Sequence, residues 1–240
     1  MKSISHNVPR VVQGPEECVQ SSAAQILAFY GITKSIPEIR EEVPMLFSKD
    51  GRPLGTSFPH IALYFVELGF HTTMHVADLE IFDRRWALLS SAELLEKLEQ
   101  RAPHLKHSVY DREMLDVYFD GYPRFLKAGG TITLPVVTHA YLRSLLEKGP
   151  VYASVDYQLL NNCAKYSYDS IKQEYVEDDI SGTAITHAII ISGFTDTTYT
   201  IVDPDYHFGG VRTIDADHFL GAFYLAQLTF DNVLISLEKK

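Results

Sequence analysis

The chain has 240 residues, 46% hydrophobic and 22% charged, enough apolar material for a sizeable core and too much for wholesale disorder. Twenty-one basic side chains against 31 acidic ones leave a net charge of -10, which argues against a nucleic-acid partner or an anionic membrane surface. No apolar run approaches the roughly 20 residues of a membrane span, and Met1 to His6 has one lysine and no apolar stretch, so a soluble, cytoplasmic protein without a secretory signal is expected.

The first strong element runs from Cys18 to Tyr30. Val19, Ala23, Ile26, Leu27 and Tyr30 repeat at the spacing of one buried helix face, and Gly31 stands where a left-handed cap is expected. Ser35-Ile36-Pro37 opens a short helix, and Thr56 or Ser57 caps another that Gly69 stops. Phe70 to Val76 alternates weakly, as a short strand does. Ser90 with Glu93 forms a capping-box pattern ahead of Leu94, Leu95 and Leu98. Asp111 to Lys127 is a further helix with a break expected near Gly121-Tyr122-Pro123. Gly129-Gly130 reads as a linker, and Thr138 caps a helix that ends at Gly149-Pro150. Strands then follow at Val151–Val155, Ala188–Ser192, Tyr199–Val202 and Gly210–Ile214, with a short helix starting at Asp215 and a β-rich ending over Ala226–Leu237. Helices first and antiparallel strands second make an α+β plan.

Two cysteines, Cys18 and Cys163, cannot build a disulfide framework or a four-cysteine zinc site. Cys18 opens a helix, where unpaired N–H groups favour a thiolate, although Glu16 and Glu17 oppose one. His187 opens one strand and Asp203 closes the next. A hairpin centred on Thr195 would set them directly opposite, so that the carboxylate orients the imidazole. Gln13, in the loop before the helix, can donate to an oxyanion together with the Cys18 N–H. Each feature alone has an ordinary reading: a buried small hydrophobe, a strand-end histidine on a surface aspartate, a solvated loop glutamine. Cys163 lacks the helix-start setting and reads as structural. Asp203, Asp205 and His207 are better read as turn residues than as metal ligands. The polar segment 161 to 183 reads as a mobile loop beside the cleft.

In order along the chain, Gln13, Cys18, the helix ending in Tyr30-Gly31, Thr186-His187-Ala188-Ile189-Ile190-Ile191-Ser192-Gly193 and Val202-Asp203-Pro204 resemble the papain-like cysteine peptidases of the bacteriocin-processing, double-glycine leader peptidase type, in the stand-alone form without a transporter. The resemblance covers about 12 to 31 and 138 to 224. It implies a papain-like α+β fold, with an N-terminal helical part carrying the nucleophile helix and a C-terminal antiparallel sheet. The whole chain reads as a single papain-like domain over 1–240, with a mainly helical middle at about 35–137 that carries none of the resemblance. In that reading Cys18 is the nucleophile, His187 the base, Asp203 its orienter and Gln13 the oxyanion donor. The substrate is a peptide or protein, cleaved with no metal or organic cofactor. The chain departs from the family twice: Gln13 is five residues before Cys18 instead of six, and Val19 replaces a glycine. Two alternatives stand beside hydrolysis: an acyltransferase or transpeptidase using the same triad, and a catalytically silent peptide-binding domain.

Overall fold

The computed structural model describes residues 3–49, 51–104, 112–226 and 232–240, leaving aside the side chains of 112–115. After β1 (Ile4–Ser5) comes α1 (Cys18–Phe29), then α2 (Ile36–Glu42), a two-stranded hairpin of β2 (Leu46–Phe47) and β3 (Pro53–Gly55), α3 (Phe58–Glu67), β4 (Phe70–Val76), α4 (Ser91–Arg101), α5 (Arg112–Lys127), β5 (Thr131–Thr133) and α6 (His139–Leu146). The second part holds β6 (Val151–Asp156), α7 (Tyr157–Asn161), β7 (Tyr166–Asp169), β8 (Glu174–Glu177), β9 (Thr186–Phe194), β10 (Thr198–Asp203), β11 (Gly210–Asp215), α8 (Ala216–Leu225) and β12 (Val233–Lys239). The α+β class is as expected. Of the β-rich ending, residues 227–231 lie outside the described residues, as does Asp111 at the start of the helix expected up to Lys127.

Local signals fixed most boundaries. Ser35 and Ser90 each accept a backbone N–H at the third helical position while Glu38 and Glu93 reach back, so both α2 and α4 begin with full capping boxes. Thr138 caps α6 through the Tyr141 N–H, and Gly31 adopts φ +83° after α1, a conformation that costs a residue without a Cβ least.

Among the described residues the main sheet runs β11-β10-β9-β6-β12-β4-β5, with β1 beside β9. Every pair in it is antiparallel except β4 with β5. The helical middle thus contributes β4 and β5 to the sheet, placing strands from both halves of the chain in one layer. Both faces are covered. Tyr152, Ala188, Ile190, Val202 and Ile235 meet α1, α3 and α5 on one side. Val151, Ala153, Ile189, Ile191, Ile201 and Leu234 meet α6 and α8 on the other. A strand buried on both faces needs a continuous apolar run, which is what Ala188–Ile191 supplies.

Three expectations change. Helix α5 runs through Pro123 without a break, because Tyr118, Tyr122, Phe125 and Leu126, all buried, hold both halves against the core; packing outweighs the lost N–H. Segment 161–183 is a hairpin instead of a loop. Tyr168 and Tyr175 meet edge to face across it at 5.2 Å, and Asp169 closes the turn by accepting the N–H groups of Ile171 and Lys172. The hairpin leans on β3 through the Tyr175 hydroxyl, which donates to the Pro53 carbonyl at 3.0 Å. Finally, α1 is buried all round: Gln20, Ser21, Ser22 and Gln25 have no exposed surface.

Away from the candidate site, His75 on β4 is buried between Thr133, Tyr141 and Ser236, at 2.8–2.9 Å. Burial, with Lys148 nearby, pulls its pKa down to about 4. The unfolded chain then binds a proton that the folded chain refuses, so this group lowers stability as pH falls from about 6.5 toward 4 and has no effect above that window. We expect His75→Gln to unfold less steeply over pH 6.5 to 4, with a difference on the order of 3 kcal/mol at the acid end. Urea denaturation at both ends of that range measures it, and parallel curves for the two proteins would contradict it.

Candidate active site

The site is assembled at the end of the sheet where α1 begins. Helix α1 is held over the sheet by polar links inside the core. The Ser22 hydroxyl donates to the Ala188 carbonyl at 2.9 Å, the Gln25 amide to the Val202 carbonyl at 3.4 Å, and the Tyr152 hydroxyl to the Val19 carbonyl at 2.9 Å. These links fix the helix start against β9, β10 and β6. Cys18 is the first helical residue, half-buried and free. Glu17 precedes it without a side-chain cap, so no side chain claims the first amides and they remain available to an anion. The Glu17 carboxylate is turned outward onto Arg40, at 2.9 Å. Glu16 has φ +58°; burial raises its pKa, with His187 close enough to oppose the rise. Of the two acids beside the thiol, one is paired with a cation and the other is raised by burial.

His187 and Asp203 meet, but not in the register that a symmetric hairpin predicts. Phe194 faces Tyr199 and Gly193 faces Thr200; the pairing then slips, and Ile191 faces Ile201. Ser192 is the extra residue, a β-bulge. Beyond it Ile190 faces Val202, so Asp203 is level with Ile189 and His187 is its diagonal neighbour on the same side of the pleat. Without the extra residue the two would fall on opposite sides. The diagonal reach suffices: His187 Nε2 is 2.8 Å from Asp203 Oδ1. The second carboxylate oxygen accepts from the Arg212 guanidinium at 2.9 Å, and Oδ1 also accepts the Asp205 N–H at 3.0 Å.

This group is closed to water. Asp203 is fully buried and His187 is 3% exposed, with the Tyr157 ring edge-on to the imidazole at 5.3 Å. Burial opposes the imidazolium. The charge and hydrogen bond of Asp203, together with a side-chain hydrogen bond that Cys18 accepts, overcome that and raise His187 to about 10. Burial also pushes Asp203 up, and His187, the Asp205 N–H and Arg212 more than offset it, holding the carboxyl at about 2. The arrangement is a thiol beside an imidazole whose protonated form a buried carboxylate favours, the carboxylate itself being held low by its own partners.

Gln13 is tied to the same place by its backbone, whose N–H donates to the Pro204 carbonyl at 3.0 Å. Its Oε1 is buried without a partner, and no hydrogen bond to its side-chain amide forms among the described residues. The structure thus brings Cys18, His187 and Asp203 together, with the Gln13 loop held against the residue that follows Asp203. Cys163 stands apart in the turn after α7, its thiol pushed up by burial and by Glu177. Asp205 accepts the N–H groups of His207 and Phe208, as a turn residue does, and no metal-binding cluster of histidine, cysteine and carboxylate side chains occurs among the described residues. Arg212, Tyr157 and Arg10, which donates to the Asp203 and Asp205 carbonyls, are the neighbours that sequence reasoning missed. Nothing in their local sequence marks them, since each is defined only by what lies across the sheet.

No protein-family model and no curated protein matches the chain. Among solved structures it is similar to the peptidase domain of Streptococcus ComA, a bifunctional ABC transporter involved in a quorum-sensing pathway, at 16% identity and TM-score 0.45, covering 98% of this chain and 100% of that one. It is also similar to a C39-like peptidase from Bacillus anthracis, at 15% identity and TM-score 0.47, covering 100% and 99%. A third is a double-glycine motif protease from an AMS/PCAT transporter, solved with the leader peptide, at 12% identity and TM-score 0.42, again covering 100% and 99%. No helix among the described residues is long and apolar enough to cross a membrane.

The geometry predicts unequal thiols. At about pH 6 an ordinary thiol is almost wholly protonated, whereas an imidazolium beside Cys18 favours its thiolate. Iodoacetamide is expected to alkylate Cys18 faster than Cys163, and His187→Ala to remove most of the difference. Mass-spectrometric rates at each cysteine over pH 5 to 9 test this. Equal rates that His187→Ala leaves unchanged would break the link between Cys18 and His187.

Proposed function

We propose that the protein is a cysteine peptidase-like thiol hydrolase that cleaves a peptide amide. The observation that carries this reading is the convergence of Cys18 with a buried His187–Asp203 pair whose imidazole and carboxylate are 2.8 Å from each other. Cys18 attacks the carbonyl carbon as a thiolate, and the tetrahedral oxyanion takes hydrogen bonds from the Cys18 N–H and the Gln13 amide. His187 gives its proton to the leaving nitrogen, the C–N bond breaks, and an acyl-thioester remains on Cys18. Water then attacks with His187 accepting its proton, and the thiolate leaves. Asp203 holds the ring in one orientation throughout. No metal or organic cofactor enters these steps.

The Gln13 loop supports the oxyanion assignment despite its short spacing, because its backbone bond to Pro204 fixes it beside Asp203. Losing one such donor typically costs about 10²–10³ in turnover. Gln13→Ala is expected to show a loss of that order while Cys18 alkylation continues at its normal rate. Turnover close to normal would assign the donor role elsewhere.

The deciding experiment is incubation of the protein with a defined peptide mixture, alone and with added amines, followed by product masses. New free termini that vanish in Cys18→Ala are the expected result. Amine adducts that form with equal dependence on Cys18 would identify acyl transfer, and the absence of any Cys18-dependent product would favour a domain that only binds peptides.

A further inference from the structure

Asp203 lies between two cations on neighbouring strands. His187 approaches from β9 and Arg212 from β11, each diagonal to Asp203, at 2.8 and 2.9 Å. Gly210 stands directly opposite Asp203, so Arg212, two residues on, shares its side of the pleat. The same guanidinium is steadied by Asn161 Oδ1 at 2.5 Å, at the end of α7, whose first residue, Tyr157, packs against His187. Arg212 is therefore braced from α7 and aimed at the carboxylate oxygen that His187 leaves free. Its side chain is 31% accessible where Asp203 is wholly buried.

We propose that Arg212 is a positioning residue for the catalytic pair: it anchors the second oxygen of Asp203 and, by sharing that carboxylate with His187, sets the pH range over which His187 and Cys18 ionise. This rests on the proposed triad. The groups facing His187 and Asp203 are Cys18 and Glu16 at the start of α1, Tyr157 on α7, Asp205 in the loop after β10, the Arg10 guanidinium at the Asp203 carbonyl, and Arg212 itself. Among them Arg212 is the fixed cation in contact with the carboxylate oxygens. Removing it takes a positive charge from a water-poor site, which makes every proton nearby harder to lose. The midpoints of both His187 and Cys18 must then move up together. Arg212→Lys keeps the charge and should keep the midpoints, while losing the second contact to Asn161.

The test follows His187 by NMR in 13C-histidine-labelled protein, assigned with His187→Gln, and Cys18 by iodoacetamide rate against pH in a Cys163→Ser background. In Arg212→Met both midpoints should rise by about one unit, and in Arg212→Lys both should stay near wild type. Arg212→Gln serves in place of the methionine variant should that one fail to fold, with thermal unfolding recorded for each. Unchanged midpoints in the neutral variant overturn the proposal, as does an equal shift in Arg212→Lys, which would make the residue one of packing alone. The triad fails separately: if Cys18 alkylation in the otherwise unaltered protein ignores His187→Gln, the thiol is not paired, whereas the His187 midpoint still reports whether Arg212 acts on the carboxylate.

Discussion

A bare carboxylate in a protein interior loses several kcal/mol of hydration, and it persists only where partners replace the water on every side. Asp203 is such a group. The surrounding backbone is arranged to meet that demand. The bulge at Ser192 turns His187 to its side of the sheet, β11 brings Arg212, and the loop after β10 folds back so that the Asp205 N–H points at it. Arg10 then ties down the carbonyls of that loop. Gly209 is required there, since a side chain would meet the Asp205 carbonyl. The folding problem and the chemical problem are solved by the same set of bonds.

The parts of this arrangement differ in how far they could be read from the chain. Helix ends were legible because their causes are local: Ser35 with Glu38, Ser90 with Glu93, and Gly31 act on amides within a few residues. Cys18, His187 and Asp203 were legible through their order and their setting at element ends. The bulge was not. Its cause is a third strand: β1 pairs with Gly193 and Phe194, and the His6 N–H takes the Ser192 carbonyl at 2.7 Å, contacts that no spacing rule within the hairpin contains. For the same reason a symmetric hairpin gave the right pair of residues by the wrong register. The Tyr-rich hairpin after α7 was obscured by its charges, which mask the alternation of Tyr166 and Tyr168. Pro123 misled because helix interruption is a local preference and the packing of Tyr122 and Phe125 is not.

Helix α1 shows how a polar pattern can conceal full burial. Its apolar stripe was visible, yet its other side is not a solvated face. Gln20 donates to the Val43 carbonyl and to Thr56, and Gln25 bridges Val11 to β10. Polar side chains of moderate length do what a fully apolar helix cannot: they fix rotation and axial position at once, because a hydrogen bond has a direction and an apolar contact has none.

That burial bears on how the thiol is presented over time. Segments that open independently of the rest tend to have few buried contacts and solvent-facing hydrogen bonds. Beyond its first turn helix α1 has neither property, so its amides from Ser21 onward belong with the slowly exchanging ones. The sulfur at its head is then displayed by a firmly packed element. A reagent that finds it meets the native arrangement, and not a transient excursion from it.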